Sequence, residues 1–215
     1  MLTSASPLLA SERVVLYPGL GKRLFDLAFV ALIAVPVLLV LGILALMVAT
    51  DGHSPFYVQK RLGRHGKVFR MYKLRSMVPN ADQVMTEYLA GNPEARTEWD
   101  RDQKLKNDPR VTWVGRLIRK TSLDELPQFF NVLKGDMSVV GPRPMMCNQQ
   151  DLYPGTEYYE MRPGITGAWQ TSVRNESSFE QRAEYDRDYF YKLSLLTDLK
   201  IVLRTFGVVV RATGH

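Results

Sequence analysis

The chain of 215 residues has one cysteine, Cys147, so no disulfide framework can form within it. That is compatible with a reducing, cytoplasmic setting. Histidine is scarce, and His53, His65 and His215 are scattered, so no Cys/His cluster has zinc-like spacing. There is no internal repeat and no low-complexity segment. Neither GxGxxG nor GxxxxGKS occurs, which removes the standard glycine loops for phosphate. No βαβ alternation suggests a Rossmann sheet. No helix-turn-helix, RNP or zinc pattern accompanies the formal charge of +6, so a nucleic-acid partner is not expected. The charge points instead to phosphate or an anionic membrane face.

Charge is also missing locally. Between Asp26 and Asp51 lies LAFVALIAVPVLLVLGILALMVAT, 24 residues without one ionisable group. As a helix it would be about 36 Å long, against a hydrocarbon core of about 30 Å. A buried core helix is usually shorter and less uniformly apolar. A signal peptide has a shorter apolar run and begins earlier. Lys22 and Arg23 precede the segment, and Lys60, Arg61, Arg64, Lys67, Arg70, Lys73 and Arg75 follow it. Basic flanks stay on the cytoplasmic side, and here both ends claim that side. Pro36 lies inside, where it removes a backbone hydrogen bond. The pattern therefore favours a re-entrant helix, kinked at Pro36, over a straight span.

Near the C-terminus, Leu195, Leu196, Leu199, Val202, Leu203, Phe206, Val209 and Val210 share one helix face, with Lys200, Arg204 and Arg211 beside it. This reads as an amphipathic interfacial helix or as one packed on the soluble core; the pattern alone leaves both open. Residues 56–75 read as a hairpin, 80–106 as solvated helix, and 113–122 and 126–134 as helices. VVGPRP (139–144) is extended, RPGITGAWQ (162–170) leads into a short strand, and 177–192 is helical with Ser177 or Ser178 as cap. The fold class is mostly α with little β. Residues 1–21 form a weakly patterned leader, 22–52 the membrane helix and 53–215 the cytoplasmic-face domain.

The stretch TSLDELPQFFNVLKGDM (121–137) carries adjacent carboxylates, Asp124 and Glu125. Ser122-x-x-Glu125 has the form of a capping box. Against that, Ser122 as N-cap would put Pro127 at about the fifth helical position, where its missing N–H is costly. Pro127 at a helix start would place both acids on the entry loop. Arg119 precedes the pair, Arg143 stands between prolines, Arg162 precedes Pro163-Gly164, and Arg174 precedes Asn175. Arginines in such loops suit bidentate phosphate contacts, and beside them Asp124 and Glu125 are expected to stay ionised. Two carboxylates also suit Mg²⁺, which takes one or two of them plus substrate phosphates. A carboxylate can attack phosphorus and split one displacement into two; the residues alone do not say which one attacks.

RLFD with the proline-containing apolar run, PFYVQKRLGRHGKVFRMYKLRSM, DPRVTWVGRLIRKTSLDELPQFFNVLKGDMSVVGPRP and RPGITGAWQ together resemble the bacterial sugar transferases, the monotopic polyprenol-phosphate phosphoglycosyl transferases. The resemblance runs from about Lys22 to Arg204 and matches the small catalytic-core type. It implies transfer of a sugar-1-phosphate from a UDP-sugar to undecaprenyl phosphate, with release of UMP, at the bacterial inner membrane. It implies that Asp124 is the nucleophile, that Glu125 helps hold Mg²⁺, and that Arg143 binds phosphate. It places acidic family positions at Asp186 and Asp198, makes the proline-broken re-entrant helix a family feature at Pro36, and points to exopolysaccharide or related glycan assembly. Trp113 and Val173 depart from the family pattern, Val173 standing for the glycine of SGRN. A membrane glycosyltransferase that releases UDP is the alternative, a non-catalytic scaffold is a further class, and a homo-oligomer is left open.

Overall fold

The computed structural model describes residues 17–102, 105–172 and 179–210. The apolar segment forms α1 (Lys22–Val48), preceded by a π-helical turn at Tyr17–Gly21. Pro36 sits inside α1, which continues on both sides of it as one element. By length and composition α1 is able to cross a membrane. Its burial is divided. Lys22, Asp26 and Val30 are buried at one end, Leu41, Leu44 and Val48 at the other, and none of residues 31–40 is buried. Leu32, Val35, Leu38 and Leu39 are among the large apolar side chains left exposed there.

Both ends of α1 dock on the same folded unit. At the start, Lys22 Nζ donates to Asp198 at 2.7 Å, and Arg23 donates to the backbone carbonyls of Val132 and Leu133. Asp26 accepts from Ser138 Oγ and from the Val139 amide, at 2.8 and 2.9 Å. At the end, Arg75 grips Asp51 through two guanidinium nitrogens at 2.7 Å and also donates to the carbonyl of Val48. The Arg75 guanidinium lowers the Asp51 carboxyl to about 2. The first half of α1 joins a core with Phe69, Met71, Val132, Met137 and Val139, and the second half joins one with Leu74 and Ile118.

The expected hairpin is β1 (Phe56–Leu62) paired antiparallel with β2 (Val68–Leu74), turning through Arg64–Gly66. Strand alternation turns Arg61, Phe69, Met71 and Lys73 to one side. The solvated region is α2 (Ala81–Gly91) and α3 (Pro93–Asp102). Thr112 caps α4 (Trp113–Lys120) by accepting from the Gly115 amide at 2.9 Å. The helix α5 (Gln128–Lys134) stops at Gly135, whose φ of 84° suits glycine. Asn131 of α5 accepts from the Tyr72 amide at 3.1 Å and donates to the Arg70 carbonyl at 2.7 Å, so one side chain satisfies the open edge of β2.

β3 (Ser138–Val140) and β4 (Gly164–Thr166) pair in parallel, with α6 (Glu157–Glu160) between them in sequence. Two helices, α7 (Phe179–Tyr191) and α8 (Leu195–Val210), complete the described chain. The proposed caps Ser177 and Ser178 lie outside the described residues. The helix α8 packs Ile201 and Val202 into the core and leaves Leu196, Leu199, Leu203 and Phe206 exposed. Val202, on the predicted apolar face, is thus one of its residues that reach the core.

Candidate active site

Asp124 and Glu125 lie in a single 3₁₀ turn, Leu123–Glu125, ahead of α5. The capping box does not form. Ser122 is left-handed, with φ of 57°, and its side chain caps nothing. Pro127 occupies the residue before α5 instead, where its missing N–H is harmless. The acids are therefore on an entry turn, held by the proline behind them and by Ser122 in front.

Lys73 on β2 reaches both carboxylates, Asp124 Oδ2 at 3.2 Å and Glu125 Oε1 at 3.0 Å. Burial raises the Asp124 carboxyl above its ordinary value, and the Glu125 charge adds to this. Lys73 opposes the rise most strongly, with Arg119 a smaller influence. The sequence expectation credited arginines with keeping the pair ionised; the main counter-charge is this lysine.

Beside the pair, a narrow recess is lined by Arg61, Lys73, Glu125, Arg143 and Gln170. Arg61 is half-buried and donates to the Pro144 carbonyl and the Gln59 amide oxygen. Burial first, and then the charge of Arg143, pushes the Arg61 guanidinium down to about 10. Mutually repelling cations gathered in a partly buried recess are an anion site. Arg143 is placed by its loop and lies over the Trp169 ring at 6.0 Å. That loop meets the RPGITG loop backbone to backbone. A Cβ added at Gly141 would fall 2.3 Å from the Arg162 carbonyl oxygen, and one at Gly164 would fall 2.1 Å from the Gly141 nitrogen. Only glycine permits this approach.

On its other side Glu125 borders an apolar cavity of about 250 Å³. Phe29, Ile33 and Val37 of α1, Leu126 and Phe129 near α5, and Val202 and Phe206 of α8 form its walls. Glu125 and Gln170 line both the recess and the cavity.

The remaining sequence candidates have other surroundings. Arg119 lies at the end of α4 within electrostatic reach of Asp124 and does not line the recess. Arg162 donates to the Gly135 carbonyl at 2.8 Å and also stays out of it. Arg174 and Val173 lie outside the described residues. Asp186 is buried against Tyr153, whose hydroxyl donates at 2.8 Å, and burial raises its carboxyl to about 6. Asp198 is fully buried and binds Lys22 and the Tyr189 hydroxyl, the latter at 2.6 Å, as an anchor for α1. Trp113 is largely exposed on α4. Sequence reading missed Arg61 and Lys73 as site residues because it counted them as membrane-flanking charge. The signal was present: in VFRMYKL, Lys73 falls on the same alternating face as Phe69 and Met71.

Among the described residues no group of three or more His, Cys, Asp or Glu side chains could hold a metal. Two carboxylates that converge on one ammonium fit Mg²⁺, whose shell is completed by substrate phosphates and water, better than an ion needing a full protein cage.

A family model described as "Bacterial sugar transferase" matches residues 17–212. The chain belongs to the bacterial sugar transferase family. The undecaprenyl-phosphate galactose phosphotransferase of Salmonella typhimurium is 48% identical over 198 residues, covering 90% of this chain and 41% of that relative. The exopolysaccharide production protein ExoY of Sinorhizobium fredii is 44% identical over 200 residues, covering 91% of this chain and 88% of that relative. The UDP-glucose:undecaprenyl-phosphate glucose-1-phosphate transferase of Klebsiella pneumoniae is 38% identical over 197 residues, covering 86% of this chain and 39% of that relative. The chain thus spans less than half of two of these relatives and most of the third.

Proposed function

We propose that this chain transfers a sugar-1-phosphate from a UDP-sugar to undecaprenyl phosphate, through a covalent phosphosugar on Asp124, with release of UMP. One observation carries the reading: Glu125, which shares Lys73 with its neighbour Asp124, stands where a cationic recess meets an apolar cavity walled by the membrane helix. A reaction between a water-soluble diphosphate and a lipid phosphate needs that junction. The names of the Salmonella and Klebsiella relatives point to the same acceptor.

Arg61, Lys73 and Arg143 bind the diphosphate and offset its charge. A carboxylate oxygen of Asp124 attacks the sugar-bearing phosphorus. An O–P bond forms there, the bond from that phosphorus to the bridging oxygen breaks, and UMP leaves with the electron pair. A phosphate oxygen of the acceptor then attacks the same phosphorus and expels the Asp124 carboxylate, giving a polyprenyl diphosphosugar. Asp124 and Glu125 would hold Mg²⁺, which supplies positive charge to the phosphoryl oxygens. Lys73 favours the ionised, nucleophilic form of Asp124 and so opposes burial, which raises its carboxyl.

The same reading makes α1 re-entrant, with the catalytic domain on the cytoplasmic face of the bacterial inner membrane. Its support is that both ends of α1 are tied to one domain while its apolar middle, around Pro36, is exposed. The exposed apolar side chains of α8 extend this lipid-facing surface. The name of the ExoY relative suggests exopolysaccharide assembly as the setting.

The test is incubation of the purified protein with UDP-sugar and Mg²⁺ and no acceptor. The expected result is one phosphosugar per chain by intact mass and a stoichiometric burst of UMP, both absent in Asp124→Asn. Release of UDP, or full turnover by Asp124→Asn, would overturn the reading and favour a plain glycosyltransferase.

A further inference from the structure

Gln170 is 7% exposed, and neither of its amide atoms has a hydrogen-bond partner among the described residues. The other residues with a buried unpaired atom, Asp26, Arg61 and Arg182, each hydrogen-bond through another polar atom. A buried amide unpaired within its own protein is costly, and it calls for a ligand. Its place is built. Gly167 lies beneath it, where an added Cβ would come 2.7 Å from Gln170 Oε1 and 2.2 Å from the Gly141 carbonyl oxygen.

The amide lines both the cationic recess and the apolar cavity. The two openings differ in what they offer a phosphate. The recess supplies Arg61, Lys73 and Arg143, whereas the cavity wall contains no lysine or arginine among the described residues. Most of the cavity's hydroxyls are committed. Thr121 donates to Leu117, Thr171 to Gly167 and Thr205 to Ile201, all backbone carbonyls, and Thr166 shares its hydroxyl with Thr205. At the level of Glu125, Gln170 carries the uncommitted amide donor facing the cavity.

We propose that Gln170 binds the phosphate of the lipid acceptor, its Nε2 donating to a phosphate oxygen while the polyprenyl chain lies in the apolar cavity. The proposal rests on the transferase reading above. A neutral amide suits this doorway for three reasons. It is cheaper than a cation to hold in an apolar wall, and it does not pair with Glu125. It also orients the acceptor phosphate without neutralising the charge that makes that phosphate a nucleophile.

The experiment separates the two half-reactions in the detergent-purified full chain, using Gln170→Leu and the nearly isosteric Gln170→Glu. With UDP-sugar alone, the UMP burst of each variant falls by a clearly smaller factor than its lipid-dependent turnover, because Gln170 also lines the recess. With undecaprenyl phosphate added, Gln170→Leu raises the KM for that lipid about 10- to 100-fold, the worth of one hydrogen bond to a charged group. Gln170→Glu raises it further, because it sets an anion against the phosphate. The Glu variant keeps the test open if Leu impairs folding, which melting curves report. Equal loss in both half-reactions, or no change in lipid KM, overturns the assignment. If the parent itself shows no burst, the transferase reading fails. Titration of the parent and Gln170→Leu with undecaprenyl phosphate then tests the lipid site separately: equal affinity overturns it, and weaker binding by the variant supports it.

Discussion

Replacing Lys73 with methionine removes the ammonium that bridges Asp124 and Glu125 while keeping most of the side chain's bulk. The two ion pairs that disappear measure 3.2 and 3.0 Å and are only partly exposed to water. At an effective dielectric of about 20, unit charges about 3 Å apart attract by about 5 kcal/mol. Desolvation of the same groups cancels much of that. A net effect of about 1.4–3 kcal/mol on Asp124 corresponds to about 1–2 pH units. The sign is fixed by the chemistry. Burial already raises the Asp124 carboxyl, and Lys73 lowers it. Without Lys73 it rises further, and the ionised nucleophile is lost at a higher pH. The rate of the UMP burst, measured from about pH 5 to about pH 9, should therefore show its acid limb moved up by about 1–2 units in Lys73→Met. Near the alkaline end of that range the variant should recover much of its rate. The same change costs less stability at low pH than at high pH, because protonated carboxyls no longer need the lysine. An acid limb at the parental position would refute the assignment of Lys73 as the group that keeps Asp124 charged.

Topology is checked in a Cys147→Ser background with Leu20→Cys or His53→Cys, both exposed positions flanking α1. An impermeant maleimide should label both from the cytoplasmic side, whereas a straight span would label one from each side. Gly141→Ala forces a methyl against the Arg162 carbonyl; it should cost about 3 kcal/mol or more and lower the melting temperature by several degrees. Asp186 has a folded value of about 6 against an ordinary 3.8, so its proton favours the folded state. Its contribution is full below the ordinary value and is lost as pH rises through about 6. Asp186→Asn should remove that segment of the stability–pH curve, seen as a difference between paired thermal melts from about pH 4 to about pH 7.

Much of this architecture is written in local pattern. Alternation in 56–75 marks the hairpin, and the uncharged run marks α1. The misfit between Ser122 as a cap and Pro127 well inside a helix raised the entry-turn placement of Asp124 and Glu125, and the structure decides for it over the cap. Other features depend on partners distant in sequence. The strands β3 and β4 are three residues each, too short to show a period, and their pairing rests on the Gly141–Gly164 approach. The basic residues after α1 look alike as membrane flank, yet Arg61 and Lys73 face the recess while Arg75 clamps the helix end. Arg162 and Arg143 sit in similar proline-rich loops, and of the two it is Arg143 that lines the recess. The apolar cavity draws on α1, α5 and α8 at once, so no single window of sequence describes it.

The anchor at Asp198 has a consequence for how the protein is made. Its partner Lys22 is 176 residues earlier in the chain. At ordinary rates of synthesis, roughly 9–35 s separate the two residues leaving the ribosome. The membrane helix therefore emerges long before the carboxylate that neutralises its first buried lysine. The final seating of α1, with Lys22 on the buried Asp198, is therefore an event of the finished chain.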